Sequence, residues 1–256
     1  MTRSNQQYIC DLHSHILPGV DDGSVSLEES LAMIAMAADS GVGAMVATPH
    51  SNHWNGYENY WSEDLAADFE TLRIAVKEAG IPVEIFQGME IFVTEEAGRL
   101  LSQGAVIPLA QTRYLLTEFA FDDYPNRIVY YLDEFLSMGY VPIVAHPERY
   151  YCVQDQPGFV RDWMERGCLM QLNKGSFLGR FGRRAAMAAR ELTYRRLVTA
   201  VASDAHHADF RTPSMFDLKK LLQMEFSEEA AEILLMENPR RILQNQSPED
   251  MLEPLF

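Results

Sequence analysis

The segment Asp11-Leu12-His13-Ser14-His15, followed closely by Asp21-Asp22-Gly23, constrains this chain more than any other stretch. Residues 8–15 read as a β-strand, and a strand sends alternate side chains to one face. Asp11, His13 and His15 are therefore expected on one face, with Cys10, Leu12 and Ser14 on the other. Two imidazoles side by side with a carboxylate behind them make half of a metal site. The other half has candidates spread along the chain. His50, Glu90, Glu118, His146, Asp204 and His206 each stand where a strand-like run gives way to a loop.

Those runs alternate with helical ones from end to end. Strands are predicted over 8–15, 44–48, 83–88, 114–119, 141–145, 169–172 and 197–203. Ser26, with Glu29 three residues on, reads as a capping box opening a helix that Gly41 closes. Further helices are predicted over 59–79, 95–102, 127–138, 159–166 and 183–196, with a helical tail from about Met215. Seven strands joined by helical crossovers imply an α/β fold with a parallel sheet and helices outside. No linker or repeat divides the 256 residues, so one domain over 1–256 is expected. An open doubly wound sheet competes. Its edge strands could not all deliver ligands to one point, whereas every C-terminal strand end of a closed barrel faces the same mouth.

Composition removes several function classes. The formal charge of −16 disfavours nucleic acid as a partner. Bound divalent cations would reverse that field locally, so an anionic substrate stays open. No run approaches the ~18–20 apolar residues of a membrane span. The first residues lack the apolar core of a secretory signal. Cys10, Cys152 and Cys168 form no C-x-x-C pair and read as reduced thiols of a cytoplasmic protein. A cysteine-phosphatase reading requires an arginine six positions on, where this chain has Ile16, Gly158 and Lys174. No phosphate-binding glycine motif is present.

Any one of these histidines or carboxylates would pass as an ordinary surface or core residue. The joint pattern does not: five of the seven histidines fall at strand ends, with Asp22, Glu90, Glu118 and Asp204 beside them. Burying so many charges without a cation would be costly. Imidazole and carboxylate donors suit Zn, Mn or Fe. His53 and His207 lie next to the pattern and are left outside it. Arg149 follows His146 by three residues and Arg211 follows His206 by five, and guanidinium suits bidentate phosphate recognition. Arg180, Arg183, Arg184, Arg190, Arg195 and Arg196, with Glu191 as the only acid among them, make either a solvated helix face or a dock for an acidic partner.

The stretches DLHSHILPGVDDGS, ATPH, GME, TEF at 117–119, AHPER and SDAH together resemble the polymerase-and-histidinol-phosphatase superfamily. Within it they are most similar to the CpsB/CapC/YwqE family of manganese-dependent tyrosine-protein phosphatases of bacterial capsule and exopolysaccharide synthesis. The resemblance runs from Tyr8 to Glu237-Asn238-Pro239. It departs from many relatives in the Met-Thr-Arg-Ser-Asn-Gln-Gln extension before the first strand.

The resemblance implies a distorted (β/α)7 TIM-like barrel with three divalent metal ions, manganese first and iron or zinc as alternatives. His13, His15, Glu90 and Asp204 would hold the first ion. Glu90, Glu118 and His146 would hold the second, and Asp22, His50 and His206 the third. Asp11 would lie behind the ligands. Arg149 and Arg211 would bind phosphate, and His206 could assist the leaving group. The implied reaction is in-line attack on phosphotyrosine by a hydroxide held between two metals. The implied partner is a phosphotyrosine-bearing protein, the tail of a bacterial tyrosine kinase, and the family also admits a homo-oligomer. Two alternatives stand beside it. One is a phosphoesterase for a small monoester such as histidinol phosphate or a nucleotide. The other is a regulator that keeps a metal only for structure.

Overall fold

The computed structural model describes residues 8–248, so the extension before the first strand lies outside the described residues. The strands are β1 (Ile9–Ser14), β2 (Val42–Ala47), β3 (His50–Ser51), β4 (Glu84–Gln87), β5 (Glu90–Phe92), β6 (Tyr114–Glu118), β7 (Val141–Ala145), β8 (Leu169–Asn173) and β9 (Ala200–Ala202). All pairings are parallel. They form a three-stranded sheet, β1-β2-β4, and a six-stranded sheet, β3-β5-β6-β7-β8-β9.

The two sheets are one barrel. Only Thr48-Pro49 separates β2 from β3, and proline has no N–H to give to a ladder. Gly88-Met89 separates β4 from β5 at the same level. Bonds from Gly88 N to Ala47 O (3.0 Å) and from Glu90 N to Pro49 O (3.1 Å) keep the interrupted strands in step. The ring closes where the end of β1 meets the chain beyond β9. Ser14 bridges Ala205, His15 N donates to Ala205 O at 2.8 Å, and Asp204 N donates to His13 O at 2.9 Å. Counted this way, seven parallel strands close into a distorted α/β barrel, as expected.

Leu12, Val46, Leu116, Ile143 and Ala200 fill the barrel below its mouth. The outer helices bury their apolar stripes on the other face of the strands. The first helix, Leu27–Asp39, contributes Met33, Ile34 and Ala37. Its capping box differs in one half from the expected form. Glu29 N donates to Ser26 Oγ at 3.2 Å, but the Glu29 carboxylate accepts from Val25 N at 3.0 Å. The second helix starts at Glu63, capped by Ser62, four residues later than expected. Asn59 is taken instead by the site below, its amide donating to His50 O (2.7 Å) and Val20 O (3.0 Å).

A second difference bears on chemistry. The pairing of β1 with β2 shifts register between Ile9 and Cys10 and again between Asp11 and Ser14. Irregularity of this kind re-aims side chains. Leu12 consequently joins the interior cluster. The Asp11 carboxylate accepts from Ser203 N at 2.9 Å rather than from an imidazole. Asp11 thus fastens β1 to Ser203, between β9 and Asp204.

Candidate metal centre

Barrel closure brings all nine candidate donors to the C-terminal mouth. His13 and His15 come from the end of β1, His50 from β3, Glu90 from β5 and Glu118 from β6. His146 follows β7, Asp204 and His206 follow β9, and Asp22 lies on the loop after β1. His146 and Asp204 adopt left-handed backbone conformations, with φ of 36° and 48°. Such strain in non-glycine residues is held only where surrounding structure enforces it.

Donors ~2.0–2.2 Å from one cation stand roughly 3–3.6 Å from each other. His13 Nε2 and His15 Nε2 are 3.2 Å apart. Glu90 Oε2 lies 3.2 and 3.4 Å from them, and Asp204 Oδ1 lies 3.6 and 3.4 Å away. The other Glu90 oxygen, Oε1, is 2.9 Å from His146 Nε2, which is 3.7 Å from Glu118 Oε1. Asp22 Oδ1 stands 3.5 Å from His50 Nε2 and 3.6 Å from His206 Nε2. Glu90 thus stands between the His13/His15/Asp204 donors and the His146/Glu118 donors, while His50 faces Asp22 through Nε2 and Glu90 Oε2 through Nδ1, the latter at 2.9 Å.

The tautomers strengthen the case for cations. His13 Nδ1 faces Gln171 Oε1 at 2.8 Å, and His15 Nδ1 faces Asp21 Oδ2 at 2.8 Å. Each partner is an acceptor, so each Nδ1 carries the hydrogen and each Nε2 presents a lone pair. Two lone pairs 3.2 Å apart need a proton or a metal between them. Glu90 Oε2 and Glu118 Oε2 are buried and, among the described residues, accept no hydrogen bond. The residues present fit a bound cation.

Burial alone would depress His13 and His15, but Glu90 and Asp204 beside His13, and Asp21 beside His15, raise both above the usual imidazole value. Burial pushes Glu118 well above the usual carboxylate range, and the neighbouring Glu90 charge adds to it. Burial likewise takes His146 down to about 4 and His206 well below its ordinary value, the latter helped by His15.

Several residues that carry little signal in the sequence shape this centre. Asp21, beside Asp22, orients His15 and also accepts from His50 N at 3.0 Å. The Asp-Asp-Gly triplet was its signal. The loop depends on Gly23, where a Cβ would stand 2.2 Å from His15 O. Gln171 carried no signal. The sequence pattern leaves His53 outside the site, but the structure does not. The loop after β3 folds back, with His53 N bonded to Tyr57 O, and sets His53 Nε2 3.6 Å from Glu118 Oε2. His207 does stay apart, 3.4 Å from Glu29.

A cavity of about 700 Å³ opens over the donors, and Arg149 and Arg211 line its wall. The Arg149 guanidinium is stacked between Phe121 and Phe181, 4.3 Å from each ring centre. Phe181 fits there because residue 175 is glycine; a Cβ would come 2.5 Å from the ring. Arg211 pairs with Asp204 Oδ2, and Asn173 donates to the same oxygen. This leaves Asp204 Oδ1 for the imidazoles.

A closed parallel barrel with a buried imidazole–carboxylate centre at its mouth defines the class of metal-site α/β barrels. Within that class, residues 9–244 match the model of the CpsB/CapC family of capsular polysaccharide synthesis, and the chain belongs to that family. It is 33% identical over 241 residues to the tyrosine-protein phosphatase CpsB of Streptococcus pneumoniae, covering 92% of this chain and 98% of that one. It is 32% identical over 238 residues to the tyrosine-protein phosphatase YwqE of Bacillus subtilis, covering 93% and 92%. A solved structure from the work on YwqE and CpsB, described as unique metal-dependent tyrosine phosphatases, superposes with a TM-score of 0.88 at 30% identity, covering 97% of this chain and all of that one.

Proposed function

We propose that this protein is a metal-dependent phosphatase that hydrolyses phosphotyrosine on a protein. The substrate in this reading is the tail of a bacterial tyrosine kinase of capsular or exopolysaccharide synthesis. The observation that carries the reading is the placement of two guanidinium groups on the wall of one cavity whose floor is the imidazole–carboxylate donor cluster. The family relationship supplies the phosphotyrosine.

In this reading three divalent ions, manganese first, are held by His13/His15/Glu90/Asp204, by Glu90/Glu118/His146 and by Asp22/His50/His206. When bound, such ions lower the pKa of water and neutralise phosphoryl charge. The residues do the rest. Arg149 presents its fork to the phosphoryl oxygens, kept flat by the two phenyl faces. Arg211 shares its charge between Asp204 and the entering anion. His206 is the candidate for assisting the leaving group, and burial with the neighbouring His15 lowers its pKa well below the ordinary imidazole value. A phenolate, with a parent pKa of ~10, departs without a strong acid. The three cysteines are free thiols and take no part.

The test compares turnover of a phosphotyrosine peptide, a phosphoserine peptide and histidinol phosphate with manganese present. The phosphotyrosine peptide is expected to be hydrolysed fastest. Preference for histidinol phosphate would return the protein to the small-monoester reading. Failure on all three with full metal occupancy would return it to a structural role.

A further inference from the structure

The cavity does not end at Arg149. Phe121, Arg149 and Tyr151 line it, and the same three line a second hollow of about 410 Å³. That hollow continues past Phe181 to Arg183 and Arg184, at the start of the helix Gly182–Tyr194. Its charge opposes that of the molecule. The chain carries a formal −16, yet the charged side chains lining this hollow are three arginines.

The arginines of this stretch are not equivalent. Arg190 pairs with Glu225 at 2.7 Å and Arg195 with Glu191 at 2.5 Å, so these two form an ordinary solvated face. Arg184 pairs with Asp155, and Arg180 lies 5.9 Å from the ring centre of Phe210. Arg183 is exposed and, among the described residues, has no carboxylate at ion-pair distance. It is the uncompensated cation on a groove that opens directly into the phosphoryl site. Tyr151, 55% exposed on the shared rim, gives the groove an apolar wall.

We propose that this hollow is a docking groove for the peptide segment that carries the phosphorylated tyrosine, and that Arg183 pairs with an acidic side chain close to that tyrosine in sequence. The inference rests on the phosphotyrosine reading above. Arg149 marks the junction. One end of the bound segment places its phosphoryl group against Arg149, while the neighbouring residues run along Tyr151 toward Arg183. Complementary charge of this kind selects among partners and speeds encounter more than it strengthens the chemistry. The effect belongs in KM and is weakened by salt.

The experiment uses the manganese-loaded protein, Arg183→Ala, Arg183→Glu, and Arg161→Glu as a charge-matched control outside both cavities. Substrates are phenyl phosphate, a phosphotyrosine peptide flanked by glutamates and the same peptide flanked by lysines. Arg183→Glu is expected to lower kcat/KM for the acidic peptide about tenfold through KM. It should leave phenyl phosphate unchanged and favour the lysine peptide. Arg183→Ala should fall between, and Arg161→Glu should change little. Equal effects on both peptides, or none, overturn the groove, as does an Arg161→Glu that mimics Arg183→Glu. Fluorescence anisotropy with acidic and basic peptides bearing a non-hydrolysable phosphonate analogue of phosphotyrosine reads the same preference without turnover. If wild type hydrolyses neither phenyl phosphate nor peptide, the phosphotyrosine reading fails. Anisotropy then decides the groove separately: loss of acidic-peptide preference in Arg183→Glu supports it, and unchanged preference overturns it.

Discussion

Glu90 turns one oxygen toward each half of the centre, Oε2 toward His13 and His15 and Oε1 toward His146. Glu90→Ala therefore removes a donor from two groups at once and leaves any two cations facing each other unscreened. It is expected to lower bound metal further than Asp22→Ala, whose side chain is half-exposed at the rim. Elemental analysis of the purified variants checks this, and wild-type stoichiometry in Glu90→Ala would rule out bridging. Arg149 makes a different prediction because guanidinium has no lone pair for metal. Arg149→Ala should keep its metal and its fold while kcat/KM falls roughly 10²-fold, the scale of a lost charge-assisted bidentate contact. Arg149→Lys should recover only part, since an ammonium neither forks nor stacks between Phe121 and Phe181. Kinetics with metal content measured alongside decides it. Full activity in Arg149→Ala would move phosphate binding to Arg211.

At the scale of elements, the loop between β9 and the helix Phe216–Glu225 carries both His206 and Arg211. Lys174, in the turn after β8, holds it from beneath. Lys174 is 2% exposed, and its Nζ donates to Thr212 O and to Ser214 O, the latter at 3.0 Å. Burial pushes its pKa from 10.5 down to about 8, against the pull of Asp11. The folded protein thus releases this proton at lower pH than the unfolded chain. Between pH about 8 and 10.5 the unfolded state binds more protons, so the Lys174 contribution to stability rises with pH. The rise amounts to about 3 kcal/mol across the window. Lys174→Met removes the titrating group and should flatten that slope. Denaturant melts at pH 8 and pH 10 measure it, and equal slopes in both proteins would show that Lys174 does not titrate there.

For the whole molecule, the fold keeps thiols away from the chemistry. Cys10 and Cys168 are buried, and burial pushes each thiol up to about 12; burial also raises Cys152. None lines the cavity. Hydrolysis should survive alkylating reagents and replacement of all three cysteines by alanine, while chelation abolishes it. Loss of turnover in a triple variant that is still folded by circular dichroism and still metal-loaded would contradict this. Among the described residues no helix is long and apolar enough to cross a membrane.

Seven strands, their parallel order and the positions of the donors were legible from local pattern. Periodicity and turn residues act over a few positions, and histidine and carboxylate at strand ends declare their chemistry wherever the strands go. The capping residue Ser26, the strand end before His146 and the closing loop at Asp204 belong to this legible part; His50 and Glu90, expected where strands give way to loops, instead open the short strands β3 and β5. Only tertiary structure decided what those donors touch. Gln171 looks like any polar strand residue until closure brings it, 158 positions away in sequence, to His13 Nδ1. Phe121 and Phe181 look like core residues until they stack on Arg149. The register shifts in β1 depend on its partner β2, so alternation within 8–15 could not foretell that Leu12 fills the barrel and Asp11 binds Ser203. Residue type and spacing are properties of a local chain, whereas hydrogen-bond partners, burial and backbone strain exist only after the first strand meets the last.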